Sequence, residues 1–228
     1  MSKKFKSVIE GIAGAALMAL ALLTPFLQSR RNRWGATDNE VKRSLPGDDL
    51  MPEPKWMWTH AVTVRAPVDR VWPWLVQIGQ GRGGFYSYEF LENLVGCDIH
   101  NADRIIHELQ NLKVGDGVRL HPKAPPLPVA IIEPLRTLVL YAKDYSPAEE
   151  SQEPTKTKPE KTFSTSWGFY LDKIDDRTTR LTSCWKVGYN PTLMNKLGYG
   201  PFIIGPIGFV MDRKMLLGIK MRAESTAR

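Results

Sequence analysis

The sequence predicts an α+β domain in which a curved antiparallel sheet wraps around a long C-terminal helix, preceded by an N-terminal membrane anchor. Three observations support this prediction: a stretch without charge near the N-terminus, segments of alternating polarity beyond residue 116, and a helical apolar pattern near the C-terminus. Of the 228 residues, 43% are hydrophobic and 24% are charged, which is typical of a packed globular protein and excludes a wholly disordered chain.

Residues 1–27 are interpreted as the anchor. Gly11–Leu27 contains no charge and would extend about 26 Å as a helix, which is barely enough to cross a bilayer. Basic residues flank both ends, and Trp34 follows as an interfacial aromatic residue would. More Lys and Arg residues follow the span than precede it, so the positive-inside rule predicts a single-pass protein with a cytoplasmic domain.

A cleaved signal peptide is the alternative interpretation of this segment, since Ala19-Leu20-Ala21 resembles a cleavage site. Cleavage there would leave the apolar residues 22–27 as the new terminus, and Arg30, Arg31 and Arg33 resemble a stop-transfer flank. The uncleaved anchor is therefore favoured, and the membrane is its expected partner.

The net charge of +7 is concentrated near the N-terminus, where residues 1–43 hold eight Lys or Arg residues against three acidic ones. The remainder of the chain is nearly neutral, so no nucleic-acid partner is predicted. Cys97 and Cys184 are too few for a disulfide framework and lack the paired spacing of a thiol zinc site.

Two irregular segments divide the rest of the chain. Residues 28–56 mix basic residues with prolines and show no helical or strand period, which predicts a tether between the anchor and a domain at 57–228. Residues 144–161 are polar, contain three prolines and stand between strand-like segments. They are predicted to form a flexible surface loop within the domain.

The first half of the domain is predicted to contain one strand and two or three helices. Thr59–Ala66 alternates in polarity, with His60, Val62 and Val64 on one face, and therefore predicts a strand. Pro67 suits the first position of a helix whose apolar residues recur at helical spacing up to Leu75, with Pro73 kinking or shortening it. Further helices are predicted after a glycine-rich turn, at Tyr88–Val95 and Ala102–Leu109.

The second half is predicted to be a run of strands closed by a long helix. The strands are Gly117–His121, Pro128–Glu133, Thr137–Lys143, Phe163–Lys173 and Thr179–Val187, the last two joined as a hairpin at 175–177. Ile207–Glu224 forms a broad apolar arc opposite the polar residues Asp212, Arg213, Lys220 and Glu224. A sheet that curls around this helix leaves a cavity where the space is not filled, and this cavity is the candidate functional site.

Four segments resemble the START-like (SRPBCC) superfamily, in its polyketide cyclase/dehydrase-like branch: Arg33–Thr37, Leu45–Asp49, Val71–Ile105 and Pro206–Arg222. The match is closest to a membrane-tethered bacterial subgroup of undefined function. The resemblance implies a helix-grip fold with an apolar ligand cavity between the sheet and the last helix. Because the superfamily has no universal catalytic residues, no catalytic role is assigned to any position.

The glycine-rich turn satisfies the pattern G-x-G-x-x-G at Gly79, Gly81 and Gly84. A dinucleotide site would need a strand before this turn, and the preceding segment has a helical period, so no nucleotide cofactor is predicted. The turn and the aromatic residues after it are expected to form a lid or mouth of the cavity, in which Arg82 could meet an anionic group. A purely structural turn is the alternative.

The sequence DIHNADRIIH at 98–107 suggests metal binding or acid/base chemistry. Asp103 and His107 would lie one helical turn apart, but no third strong ligand follows, so no metal site is predicted. General acid/base work by His100 or Asp103 on a bound ligand is the other possibility. The ten candidate ligand-binding residues are Trp74, Gln77, Arg82, Tyr86, Tyr88, His100, Trp167, Trp185, Met211 and Met215.

These observations predict a membrane-tethered binding or carrier domain for a hydrophobic small molecule, such as a lipid, an isoprenoid or a polyketide-like compound, with no cofactor. The alternative is a cyclase, dehydratase or hydrolase that uses His100, Asp103 or Tyr86 for acid/base catalysis on such a ligand. A third hypothesis is a structural or partner-binding membrane protein whose cavity is packed shut. Neither a G-x-S-x-G elbow nor a P-loop is present, which argues against classical hydrolases and NTPases.

Overall fold

The computed structural model describes residues 3–145 and 163–225. The strands are β1 (Trp56–Val64), β2 (Gly117–Val118), β3 (Leu127–Glu133), β4 (Thr137–Tyr145), β5 (Phe163–Asp175) and β6 (Thr178–Tyr189). The helices are α1 (Lys3–Leu23), α2 (Gln28–Arg31), α3 (Asp38–Lys42), α4 (Val68–Val76), α5 (Glu89–Leu94), α6 (Leu193–Tyr199) and α7 (Ile204–Ser225). From residue 146 onward, the loop predicted at 144–161 lies outside the described residues.

The predicted α+β fold is confirmed. The six strands form one curved antiparallel sheet in the order β1-β6-β5-β4-β3-β2, and α7 lies against its inner face. The predicted hairpin joins β5 to β6, which pair antiparallel. Alternating residues of both strands face the same core. One expected helix is wrong: Ala102–Leu109 contains only a short 3-10 turn at His107–Leu109.

The main core fills the space between the sheet, α4 and the C-terminal half of α7. Leu75 of α4, Leu181 of β6, and Leu216 and Ile219 of α7 are inaccessible to solvent. Ile219 belongs to the apolar arc that the helical period predicted, whereas Leu216 breaks that pattern and is buried as well. This half of the interface therefore holds the fold together.

The segment 28–56 contains two short helices where an irregular segment was expected. Its first part bonds to the edge strand β1, and its later part, from α3 to residue 50, lies against the outer face of the sheet. Thr37 and Glu40 form a reciprocal capping box that begins α3. Glu40 accepts hydrogen bonds from Arg180 of β6, and the Tyr170 hydroxyl of β5 donates to the carbonyl oxygen of Pro46 at 2.9 Å. Short, locally capped helices of this kind contain too few residues to show a helical period in the sequence.

The N-terminal helix α1 packs along α5 and α7. Gly11 and Gly14 let it approach the rings of Phe90 and Tyr88, and the Lys214 ammonium of α7 donates to the Glu10 carboxylate at 3.0 Å. Within the described residues, α1 is the one helix that is long and apolar enough to cross a membrane, over Phe5–Leu23. A signal sequence would have the same length and composition.

Candidate functional site

A cavity of about 290 Å³ lies between the inner face of the sheet and the N-terminal half of α7. Its volume is at the lower end of the roughly 300–1,000 Å³ that is usual for small-molecule sites. The wall is almost entirely apolar. It is formed by Trp58, Phe85, Ser87, Glu92, Cys97, Ile99, Leu120, Trp167, Trp185, Ile204, Ile207, Gly208, Met211, Asp212 and Met215.

A row of three tryptophans forms the sheet side of this cavity. Trp58 of β1 lies opposite Trp185 of β6, which in turn lies opposite Trp167 of β5. The ring centroids are 5.6 and 4.7 Å apart along the row. Gly208 of α7 meets the first ring so closely that a Cβ atom there would lie 2.3 Å from Trp58 Cη2. The flat indole rings therefore set the distance between the sheet and α7. The space between them that smaller side chains leave unfilled is the cavity.

A buried pair of a histidine and an aspartate lies next to the tryptophan row. His60 Nδ1 is 2.6 Å from Asp212 Oδ2, and His60 Nε2 is 2.9 Å from the Arg31 carbonyl oxygen. Since a carbonyl oxygen only accepts, Nε2 carries a hydrogen. One further proton is shared between Nδ1 and the Asp212 carboxyl, so the pair is neutral overall and its burial is compensated.

The other oxygen of this carboxyl is also bonded. Ser183 Oγ donates to Asp212 Oδ1 at 2.9 Å, and Trp167 Nε1 donates to Ser183 Oγ at 3.2 Å. Asp212 was expected on the polar face of α7, and that expectation is wrong because His60 of β1 and Ser183 of β6 bury it on the sheet side. Asp212 borders the cavity, but both its oxygens already have partners.

Two other polar groups of the cavity wall have no partner. Neither Glu92 Oε2 nor Trp58 Nε1 makes a hydrogen bond to any described residue, although both atoms are buried. Burial, helped by the nearby Glu89 carboxylate, raises the pKa of Glu92 to about 8. The Glu92 carboxyl is therefore mostly protonated and uncharged at neutral pH.

Four of the ten predicted site residues line this cavity: Trp167, Trp185, Met211 and Met215. The remaining six, Trp74, Gln77, Arg82, Tyr86, Tyr88 and His100, lie elsewhere. Tyr86 and Tyr88 instead border a larger groove of about 630 Å³ between α1, α5 and α7, which mixes polar and apolar walls.

The residues around the glycine-rich turn bond to the chain itself. The Arg82 guanidinium donates to the carbonyl oxygens of Ile78, Val76 and Leu109 at 3.1, 2.9 and 3.2 Å. The buried Gln77 amide donates to the Arg104 carbonyl oxygen at 3.2 Å and accepts from the Ile106 N–H at 2.9 Å. These bonds hold the glycine-rich turn against the segment that follows it. The Arg82 guanidinium is therefore bonded to the chain itself and is not available to bind an anion in the predicted lid.

The residues proposed for acid/base catalysis do not line the cavity either. His100 is exposed and pairs with Asp98 at 3.3 Å. The buried Tyr86 hydroxyl donates to the Trp74 carbonyl oxygen at 3.1 Å, and burial raises the pKa of Tyr86. Across residues 3–145 and 163–225, no group of three or more His, Cys, Asp or Glu side chains is placed to hold a metal ion.

Sequence reasoning did not identify Trp58, His60, Glu92 or Asp212 as site residues. Trp58 lies one residue before the predicted first strand, so extending the alternation from His60 would have placed both on the inner face. Nothing in the local pattern distinguishes Glu92 from the solvated glutamates of other short helices.

No family model matches the sequence, and no curated protein matches it. The structure is similar to several solved structures. A conserved protein from Geobacillus kaustophilus is 12% identical with a TM-score of 0.42, covering 75% of this chain and 97% of its own. The Zhui aromatase/cyclase from Streptomyces sp. R1128 is 14% identical with a TM-score of 0.34, covering 76% and 96%.

The Polyketide_cyc-like protein Cgl2372 from Corynebacterium glutamicum is also 14% identical, with a TM-score of 0.37, and the match covers 78% of this chain and 96% of that one. At these identities and TM-scores, the similarities say nothing about what this chain binds.

Proposed function

We propose that the protein binds one compact, mostly apolar molecule in the cavity between α7 and the tryptophan row, at a membrane surface. The observation that carries this proposal is the cavity itself: about 290 Å³ of space between the sheet and α7, with an almost entirely apolar wall. Transfer of apolar ligand surface from water would drive binding at roughly 25 cal/mol per Å².

The size of the cavity narrows the ligand class. A volume of about 290 Å³ suits a compact compound of up to about three rings, or a short prenyl or acyl chain, and is too small for a two-chain phospholipid. Among the hydrophobic ligands expected from the sequence, small isoprenoid and polyketide-like compounds fit this limit. The helix-grip architecture that the SRPBCC resemblance implied supports the same proposal.

Exposed apolar side chains support the membrane part of the proposal. The outward face of α1 and the corner between α6 and α7 both expose large apolar side chains, namely Phe5, Ile9, Ile12, Leu20, Leu23, Leu193, Met194, Leu197, Phe202 and Ile203. Gln28, just after α1, donates to the Pro201 carbonyl oxygen at 3.1 Å and thereby joins the two regions. Apolar surface of this extent is typical of a membrane contact.

In this proposal α1 lies in the plane of the membrane interface. A helix crossing the bilayer would have to give up the Glu10–Lys214 ion pair and the packing on α5, whereas an in-plane helix keeps both and turns its apolar face to lipid. Ile204, at the exposed corner, also lines the cavity. A ligand dissolved in the membrane would then enter the cavity without crossing bulk water.

Fluorescence of the neutral probe N-phenyl-1-naphthylamine tests the binding proposal on the full-length protein in mild detergent. Ile207→Trp fills the cavity and should weaken probe affinity about tenfold or more. Met221→Trp is the matched control, because Met221 is exposed on the same helix and borders the larger groove. Equal probe affinity in both variants would place the binding elsewhere and contradict the proposal.

An enzyme that uses acid/base catalysis on the bound molecule is the second candidate function. It is favoured by Glu92, because a buried carboxyl whose pKa is raised to about 8 can exchange a proton near neutral pH. Native mass spectrometry of wild type and Glu92→Gln distinguishes the two functions. An enzyme would release product from the wild type and unreacted substrate from the variant, whereas a binding protein would release the same compound from both.

A further inference from the structure

We infer that the cavity selects an uncharged molecule that carries a hydrogen-bonding oxygen, such as a phenol, an alcohol or a ketone, through Trp58 and Glu92. The inference rests on the proposed function and names the ligand class of the same site. Its basis is that two of the polar side chains in a mostly apolar wall are each more than nine-tenths buried and have no hydrogen-bond partner among the described residues.

The first of these groups is the indole N–H of Trp58. This residue is only 3% exposed, and Nε1 has no acceptor among the described residues. Two neighbouring buried indoles do have acceptors: Trp56 Nε1 donates to the Tyr199 carbonyl oxygen at 2.8 Å, and Trp167 Nε1 donates to Ser183 Oγ at 3.2 Å. A buried indole N–H ordinarily has a partner, so the Trp58 N–H requires an acceptor that the described chain does not supply.

The second group is the Glu92 carboxyl, which is 6% exposed and has an unpartnered Oε2. Its nearest charged influence is another acid, Glu89, and no basic group offsets it. In its protonated form the carboxyl can both donate and accept a hydrogen bond. A hydroxyl or carbonyl oxygen of a ligand would satisfy it without introducing a charge.

The remaining titratable groups of the wall exclude an anionic ligand. They are Cys97 and Asp212, and the described residues that line the cavity include no Lys or Arg. Asp212 is already bonded to His60 and Ser183. A fatty-acid carboxylate would therefore be desolvated without a counter-ion, and a pure hydrocarbon would leave both Trp58 and Glu92 without partners.

Three probes that share one carbon skeleton test the inference: naphthalene, 2-naphthol and 2-naphthoate. Their affinities for the full-length protein are measured at pH 7 by displacement of N-phenyl-1-naphthylamine. We expect 2-naphthol to bind about tenfold more tightly than naphthalene, since it gains hydrogen bonds to buried groups, and 2-naphthoate to bind more weakly than naphthalene.

Two variants test whether Trp58 and Glu92 cause the preference for 2-naphthol over naphthalene. Trp58→Phe keeps an aromatic ring but removes the N–H, and Glu92→Leu removes the carboxyl at similar size. Each should reduce the preference for 2-naphthol over naphthalene severalfold. The preference is the ratio of the two affinities within one variant, so a change in cavity shape that affects both compounds alike does not enter it. Trp56→Phe is the matched control, because its N–H has a partner within the chain and Trp56 does not line the cavity, so the preference should persist.

Equal affinities of naphthalene and 2-naphthol for the wild type would overturn the inference while leaving the binding function intact. A preference that survives in both Trp58→Phe and Glu92→Leu would also overturn it. Failure of all three compounds to displace the reporter would instead reject the proposed function, and the inference with it.

Discussion

The two halves of α7 lie against the same sheet but differ in how completely the space is filled. Around the C-terminal half, Met215, Leu216, Ile219 and Ala223 are 2% exposed or less, and the Arg222 guanidinium lies over the Trp74 ring of α4 at 6.0 Å. Around the N-terminal half, the cavity of about 290 Å³ remains. One helix thus has a packed end and a hollow end.

The difference follows from what faces each half. At the packed end, aliphatic side chains of β6 and α4, such as Leu181 and Leu75, interdigitate with those of α7. At the hollow end, the tryptophan row presents flat rings that cannot interdigitate, and α4 no longer covers the helix. Because the packed end supplies most of the buried aliphatic contacts, the fold can tolerate empty space at the hollow end.

Truncating one side chain at each end tests this comparison most strongly. Leu216→Ala should lower the free energy of unfolding by about 3–4 kcal/mol, because a fully buried side chain leaves a new cavity. Ile207→Ala should cost only about 1 kcal/mol, since this side chain already borders empty space. Urea denaturation of both variants measures the difference, and equal losses would mean that both halves are packed alike.

Two glycines of α7 that lie tightly against other elements offer a second test. At Gly218 a new Cβ would lie 2.3 Å from the backbone oxygen of Tyr86, so Gly218→Ala must displace backbone and should cost about 2–3 kcal/mol. At Gly208 the equally close atom belongs to the Trp58 ring, which borders the cavity and can tilt into it.

Gly208→Ala should therefore change the free energy of unfolding by less than about 1 kcal/mol, because the gain in helix propensity offsets the shift of the ring. The same variant should weaken binding of N-phenyl-1-naphthylamine, because the tilted ring occupies part of the cavity. If Gly208→Ala destabilises the protein as much as Gly218→Ala, the hollow end has no room for the ring.

The sequence predicts part of each end. Alternation in β5 and β6 is sufficient to place Trp167 and Trp185 on the inner face, and the period of α7 identifies part of its buried side. Leu216 breaks the expected pattern, and Asp212 falls on the expected polar face, yet both are buried. In each case the reason is a partner distant in sequence, such as His60 for Asp212.

Long-range hydrogen bonds also explain why the glycine-rich turn was misjudged. Arg82 and Gln77 have the residue types of a ligand site, but both bond to backbone groups of residues 104–109, to which no local pattern relates them. Arg82 also donates to the carbonyl oxygens of the preceding helix and turn. Local sequence patterns also cannot predict the cavity volume, because the unfilled space depends on how three strands and a helix are placed together.

A last test concerns the pH dependence of stability, to which the hollow end contributes through Glu92. Its pKa is raised from an ordinary value of about 4.5 to about 8, chiefly by burial. Between these values the native protein holds a proton that the unfolded chain has released, so the free energy of unfolding falls as pH rises. The Glu92 contribution should amount to a loss on the order of 2 kcal/mol between pH 6 and pH 8.

Urea denaturation of wild type and Glu92→Leu at pH 6, 7 and 8 isolates this contribution, because the other titrating groups are common to both proteins. The pH dependence should be shallower in Glu92→Leu, whereas Glu108→Gln, a change at an exposed glutamate, should leave the wild-type slope unchanged. The same slope in wild type and Glu92→Leu would mean that water reaches the Glu92 carboxyl. In that case the hollow end would be an open surface cleft rather than an apolar enclosure that disfavours charge.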